Sequence, residues 1–474
     1  MSANIVKYGV LCALFAVTSP LNGQVIKLLP DDGAAFDHFG SCVAIDNGIV
    51  AVGATSDDDN GSFSGSAYLF DAATGLQIAK LLPDDGAAGD QFGWSIAIHD
   101  GTIAVGAYYD NDNGDSSGSA YLFDAATGLQ IAKLLPDDGA AFDHFGQSIA
   151  IHNGIVAVGA VFGDDNGTST GSAYLFDADT GLQIAKLLPD DGAAGDHFGQ
   201  SIAIHNGIVA VGAVFGDDNG TSTGSAYLFD ADTGLQIAKL LPDDGAAGDQ
   251  FGWSIAIHDG IVAVGALYHD DNGAAYGSGS AYLFDAATGL QTAKLIPVDG
   301  ATHPLLFGIS IAIDSGIVAA GARTGVDYVR FGKAFLFDAA TGLQIAKLKP
   351  GDGGDDKFAE SIAIDSGILA AGNEIDHDNQ DSGSAYVFDV VQSCPADLTT
   401  QGTPQGDPSY GVPDGFVSTA DIQFYVNLYV ADHPDADLTT QGAPLGDPDY
   451  GVPDGFVSTA DIQFYVNLYV AGCP

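Results

Sequence analysis

The sequence predicts an all-β chain, a seven-bladed β-propeller of four-stranded antiparallel blades, followed by a small α-helical module. Three observations predict it. A unit of about 53 residues recurs seven times, with copies beginning at Lys27, Lys80, Lys133, Lys186, Lys239, Lys294 and Lys347; a fixed period of that length marks a solenoid or a propeller. Each unit holds four short apolar runs separated by turn signals. After Asp389 this pattern stops, and a second repeat of 40 residues, seen at Val412 and again at Val452, takes its place.

Taking the third unit as the example, the runs are Phe145 to Ile151, Ile155 to Ala160, Ser172 to Asp177 and Leu182 to Leu188. Their length and their Ile, Val, Tyr and Phe content read as strand. Asn153-Gly154 joins the first pair, and Asp100-Gly101 or Asp259-Gly260 does so in other copies; these dipeptides supply the positive φ of a tight hairpin. Thr180-Gly181 joins the third strand to the fourth. Along the strands large residues alternate with Ala, Gly or Ser, so both faces are apolar or small. That suits sheets stacked between two neighbours, large face into small face, and seven such sheets arranged radially make a propeller. The ends of the chain support closure. A fourth-strand-like segment, Gln24 to Leu29, precedes the first unit, and the last unit stops after its third strand, Ser384 to Asp389. The N-terminal strand is expected to complete the last blade.

At Phe92-Gly93 and Val105-Gly106-Ala107, and at their equivalents in every unit, the chain resembles the FG-GAP repeats of integrin alpha-subunit propellers and bacterial surface proteins. The resemblance covers residues 24 to 392. One departure matters. The integrin-type repeat carries an Asp-x-Asp-x-Asp-Gly calcium loop between its first and second strands, and here that connection is only His152-Asn153-Gly154 or its equivalents. That site does not carry over.

Residues 1–23 read as a signal peptide, with Lys7, an apolar stretch from Tyr8 to Val17 and a small or polar run to Gly23. The stretch is too short to span a membrane, and no other apolar run approaches membrane length. The formal charge is −49, from 60 Asp and only two Glu, Glu360 and Glu374. A field of that sign repels nucleic acid and anionic lipid and attracts cations. The bias toward Asp places the acid in turns, where its side chain hydrogen-bonds the backbone.

The loop between strands two and three and the loop leading to the next blade emerge on one face, because alternate connections of a meander share an end. The first holds Asp57 and Asp59, Asp110 and Asp112, and their copies; the second is Pro83-Asp-Asp-Gly86 with Asp90 and its copies. Two readings stand for this acidic ring. The carboxylates and carbonyls suit a divalent cation such as Ca²⁺; equally, Asx-turns close tight loops. His99, His152, His205 and His258 fall on the opposite face and are expected as solvated turn residues, as are His38, His144 and His197 on the acidic face. Blade six departs from the repeat and holds the only two arginines. Arg323, Tyr328 and Arg330 are candidate contacts for an anionic or sugar ligand, against a drifted repeat without function. Trp94 and Trp253 are expected to pack between blades, with sugar stacking as the alternative.

In the C-terminal repeat, Asp414-Gly-Phe-Val-Ser-Thr-Ala-Asp421 and Asp454-Gly-Phe-Val-Ser-Thr-Ala-Asp461 each precede a stretch amphipathic at helical spacing. They resemble the second half of the calcium loop in dockerin modules, where a duplicated loop-helix binds two Ca²⁺ and docks on a cohesin. The resemblance covers residues 394–474 and implies the ligand sets Asp397, Thr399, Asp414, Ser418 and Asp421, with Asp437, Thr439, Asp454, Ser458 and Asp461. An insertion, Thr400 to Pro413, departs from the dockerin pattern. Cys394 and Cys473 bracket the module, and an exported chain permits a disulfide between them. Cys42 replaces the usual Ser and is expected to be a small buried residue.

The expected function is therefore a secreted, non-catalytic binding or adhesion protein. Its propeller takes a carbohydrate or protein ligand, and its calcium-dependent tail attaches it to a cohesin-like or cell-surface protein. The third and fourth units differ only at Phe142 and Gly195, which leaves little room for the unlike groups that catalysis needs. An extracellular polysaccharide hydrolase or lyase and a structural surface-layer component are the alternatives.

Overall fold

A computed structural model of the chain describes residues 25–218, 220–270, 277–298, 306–324, 331–350, 357–375 and 382–390. All belong to the unit Thr18–Val390. The expected signal peptide and the C-terminal module, with its helices, calcium ligands and disulfide, lie outside the described residues.

The described strands, numbered β1 to β28 in chain order, form seven four-stranded antiparallel sheets. Blade three is typical: β10 (Phe145–His152), β11 (Ile155–Ala160), β12 (Ser172–Asp177) and β13 (Gln183–Leu187) lie side by side in sequence order. Its first hairpin turns through Asn153 at φ +50° and Gly154 at φ +78°, the paired left-handed residues of a tight two-residue turn. Between β12 and β13, Asp177 Oδ1 accepts hydrogen bonds from the Thr180 amide (2.8 Å) and hydroxyl (2.6 Å).

The last blade contains β26 (Phe358–Asp365), β27 (Ile368–Asn373) and β28 (Ser384–Asp389), and its fourth strand is β1 (Val25–Leu28). β1 pairs antiparallel with β28, Val25 opposite Phe388 and Leu28 opposite Ala385. The ring thus closes as the phase of the repeat predicts.

Hydrophobic clusters fill the spaces between adjacent blades. Between blades two and three, Ala104, Ala120, Leu122 and Leu134 meet Phe145, Ile149, Ile151, Val156, Val158 and Tyr174. Between blades seven and one, Leu28, Ala370 and Ala385 meet Val43, Val50, Val52 and Tyr68. Small face meets large face at each, and the same pattern runs round the ring.

The repeat signature is the joint between blades. Phe145 is fully buried with its ring edge-on to Tyr174 and Phe176, at 5.6 and 5.7 Å between centroids. Its backbone bridges Gly118 of the preceding blade, and a Cβ on Gly118 would meet the Phe145 carbonyl oxygen at 2.0 Å. Glycine is therefore required there by close approach of two backbones. Ser148 Oγ donates to the Gly199 carbonyl of the next blade at 2.8 Å. Cys42 takes the equivalent place in blade one, its thiol 3.0 Å from the Gly93 carbonyl, and burial pushes that thiol up to about 12.

Candidate functional site

The first strand of each blade is innermost, facing the first strands of its neighbours around the axis. On the acidic face, Ser41, Thr55, Trp94, Gln147, Gln200, Lys357 and Glu374, drawn from five blades, line one cavity of about 430 Å³, which places it on the axis. Ser41, Trp94, Gln147 and Gln200 all stand immediately after the Phe-Gly pair of their blades. Trp94 is 38 % exposed, and its ring lies 4.3 Å from that of Tyr108. The expectation that Trp94 packs between blades is corrected: its strand faces the axis, where there is no partner sheet to cover the indole.

From Trp94 an arc of rings runs over three successive blades. Tyr108 lies tilted against Tyr109 (4.0 Å), Tyr109 meets His144 edge-on (5.2 Å), and His144, Phe162, His197 and Phe215 follow at successive spacings of 4.8 Å. His144 and His197 are therefore half-buried members of an aromatic belt rather than solvated turn residues. Burial lowers the pKa of both, which keeps them neutral at physiological pH.

Both glutamates of the chain have cations beside them, and Glu374 lines the cavity. Glu374 lies 3.3 Å from Lys357 and 3.6 Å from His38. Glu360 accepts a hydrogen bond from Arg323 at 2.7 Å. Arg323, a sequence candidate for ligand contact, is thus held half-buried in an ion pair with the next blade; Tyr328 and Arg330 lie outside the described residues.

Further from the axis, the sequence-selected aspartates come together around a cation supplied by the chain itself. Lys80 Nζ lies 2.8 Å from Asp32, 3.0 Å from Asp57 and 2.6 Å from Asp59, and 5.0 Å from the centre of the Tyr68 ring. Lys133 repeats this with Asp85, Asp110 and Asp112, at 2.8, 3.1 and 2.5 Å. Lys186 and Lys239 pair with Asp138 and Asp165, and with Asp191 and Asp218. A tyrosine hydroxyl completes each node; that of Tyr121 donates to Asp110 at 2.8 Å. The loops are also Asx-turns, as Asp57 and Asp110 accept the amides of Asp59 and Asp112 at 3.0 Å.

The electrostatics follow from this arrangement. Burial opposes charge on Lys80 and Lys133, but the surrounding carboxylates outweigh it and raise both. Burial likewise works against ionised Asp32 and Asp85, and the lysine and tyrosine partners carry both below the usual carboxylate range. Burial, with neighbouring carboxylates, raises Asp37 and Asp90, and the Ala34 and Ala87 amides and the charges of Lys80 and Lys133 offset it only in part. Sequence reasoning treated the repeat lysine as a label for the start of each unit and missed this role. The available signal was composition: seven of the eleven lysines occupy this one position in a chain of charge −49.

On the opposite face His99, His152, His205 and His258 are also not solvated turn residues. Their rings pack in series at 4.3, 4.5 and 4.4 Å between centroids, because the innermost strands bring equivalent positions closest together.

Six segments of the chain, 23–70, 76–123, 129–176, 182–229, 235–284 and 343–388, match the family model described as FG-GAP repeat. Together they cover more than half of the sequence, and they skip the stretch containing the altered loops of blade six. No curated protein sequence matches the chain.

Proposed function

The chain belongs to the FG-GAP repeat family, and from that premise we propose a secreted, non-catalytic binding and adhesion protein whose propeller takes carbohydrate at the axial cavity of its acidic face. The observation that carries this reading is the exposed Trp94 indole beside Gln147, Gln200, Lys357 and Glu374 in one cavity. A sugar offers an apolar ring face to an indole, and its hydroxyls pair with amides, a carboxylate and an ammonium. The negative field favours a neutral glycan over an acidic one. Blade six adds Arg323, Tyr328 and Arg330 as contacts, with any anionic group of a ligand competing against Glu360 for Arg323.

Binding of the full chain to an array of neutral plant and algal glycans tests the reading, followed by titration of the best glycan. Trp94→Ala is expected to weaken that binding at least tenfold, about 1.4 kcal/mol. Binding unchanged in both Trp94→Ala and Gln147→Ala would remove the axial cavity from consideration. A hydrolase or lyase reading draws on Glu374 in the cavity, and release of reducing ends or unsaturated products from the bound glycan would favour it.

The tail is proposed as a calcium-dependent dockerin-like anchor for a cohesin-like or cell-surface protein. Its support is the duplicated Asp-Gly-Phe-Val-Ser-Thr-Ala-Asp motif. Ca²⁺ is expected to raise the melting temperature of the tail's transition and its helical circular dichroism, and Asp421→Ala with Asp461→Ala to abolish both. Equal helicity in excess chelator would count against it.

A further inference from the structure

We propose that the hairpin face of the propeller carries a binding site for a divalent transition-metal ion such as Zn²⁺ or Ni²⁺, formed by His205, His258 and Asp259. His205 ends β14 (Phe198–His205) and His258 ends β18 (Phe251–His258), the innermost strands of blades four and five. Asp259 is the first turn residue after β18, at φ +44°. Its carboxylate reaches the edges of both rings, with Oδ1 3.3 Å from His205 Nε2 and Oδ2 3.5 Å from His258 Nε2. One ligand atom from each of the three residues falls within 4.8 Å of the others.

These spacings fit a metal ion. Bonds of about 2.0–2.1 Å at a tetrahedral angle put neighbouring ligand atoms about 3.3–3.4 Å apart, close to the two separations seen. Two imidazoles with one carboxylate suit Zn²⁺, Ni²⁺ or Cu²⁺ rather than Ca²⁺, which takes oxygen. Asn206 Nδ2 also lies 2.8 Å from His205 Nε2, and a metal ion would displace this contact.

The site needs His at the ends of two successive inner strands and Asp in the turn after the second, and in the sequence only His205, His258 and Asp259 combine them. At the equivalent turns Asn153 and Asn206 offer only an amide oxygen to the preceding His99 and His152, at 3.4 and 3.3 Å. Asp259 puts a carboxylate there. The other histidine and aspartate group, Asp46, His99 and Asp100, is less suited. Its two carboxylates approach different nitrogens of one ring, and Asp46 already accepts the Asp100 amide at 2.9 Å.

Equilibrium dialysis or calorimetric titration of the chelator-treated full chain with Zn²⁺, in excess Ca²⁺ to saturate oxygen sites, tests the proposal. One saturable ion is expected, with a rise in the melting temperature of the propeller. Asp259→Asn restores the residue that blades three and four carry at that turn, so it keeps the fold. Changes around metal ligands already cost about 10–100-fold in affinity, so loss of the ligand itself is expected to cost at least tenfold, and His258→Gln likewise. Absence of saturable Zn²⁺ binding, or affinity unchanged in both variants, overturns the proposal.

Discussion

Replacing Lys133 by Met tests whether the repeat lysine is the internal counter-ion of the acidic face. The change keeps the apolar stem over Tyr121 and removes the ammonium from Asp85, Asp110 and Asp112. Asp110 decides the magnitude. Its side chain is only 5 % exposed, whereas Asp85 and Asp112 are 49 % and 44 % exposed, so solvent screens them and their ion pairs count for little. Removing one partner of a buried pair costs about 3–5 kcal/mol, and Asp110 keeps the Tyr121 hydroxyl and the Asp112 amide. A loss of ~2–3 kcal/mol is therefore expected. With an unfolding entropy of about 2.1 cal/mol/K per residue over roughly 370 propeller residues, that is a fall in Tm of ~3–4 °C. Scanning calorimetry at low salt reads it. Adding Asp110→Asn to Lys133→Met removes the stranded charge and is expected to recover part of the loss. Ca²⁺ at millimolar concentration is expected to stabilise Lys133→Met more than the parent, since three carboxylates then face a position without a cation. A variant melting within 1 °C of the parent, or a double variant weaker than the single one, would refute the counter-ion argument.

Two further outcomes follow from the same geometry. Leu28, fully buried between blades seven and one, is expected to cost about 2–5 kcal/mol on truncation to Ala; Val25→Ala on the same strand, 42 % exposed, should lose far less, and equal losses in urea unfolding would contradict closure through β1. For pH, Asp85 has a folded-state pKa lowered below 3.8, because Lys133 and Tyr121 outweigh its burial. Its stabilisation is present above that unfolded value and is lost as pH falls through the folded value. Asp85→Asn is thus expected to melt below the parent at pH 7, with the difference shrinking below about pH 4; a difference independent of pH would argue against the ionised pair.

The blades and their closure were legible because the information is local and repeated. Asn153-Gly154 fixes a hairpin, alternation fixes the two faces, and the unpaired third strand at Ser384–Asp389 leaves one place for β1. What was hidden depends on contacts between units. Lys133 reaches Asp85 across 48 residues and Asp110 across 23, so no window of sequence shows the node, although its composition hinted at it. Trp94 and Trp253 occupy the same repeat position, yet Trp94 is exposed beside Tyr108 while Trp253 is half-buried. Periodicity gives the parity of a residue on its strand and does not say which strand borders the axis. The histidine arc was missed for the same reason: residues 53 apart in sequence stack only when the innermost strands converge.

Near-perfect repetition also constrains where recognition sits. Blades three and four are the same but for one residue, so their nodes of Lys, Asp and Tyr are equivalent and give a ligand lacking sevenfold symmetry no preferred orientation. Such a ligand is oriented only by positions where the repeat is broken. On the acidic face those are Trp94 on blade two, Arg323 on blade six, and Lys357, Glu360 and Glu374 on blade seven, and Trp94, Lys357 and Glu374 meet in the axial cavity. On the hairpin face Asp259 stands where blades three and four carry Asn. The symmetric residues supply each blade with the counter-charge for its own carboxylates, and the departures from symmetry are the positions at which the proposed ligands would be told apart.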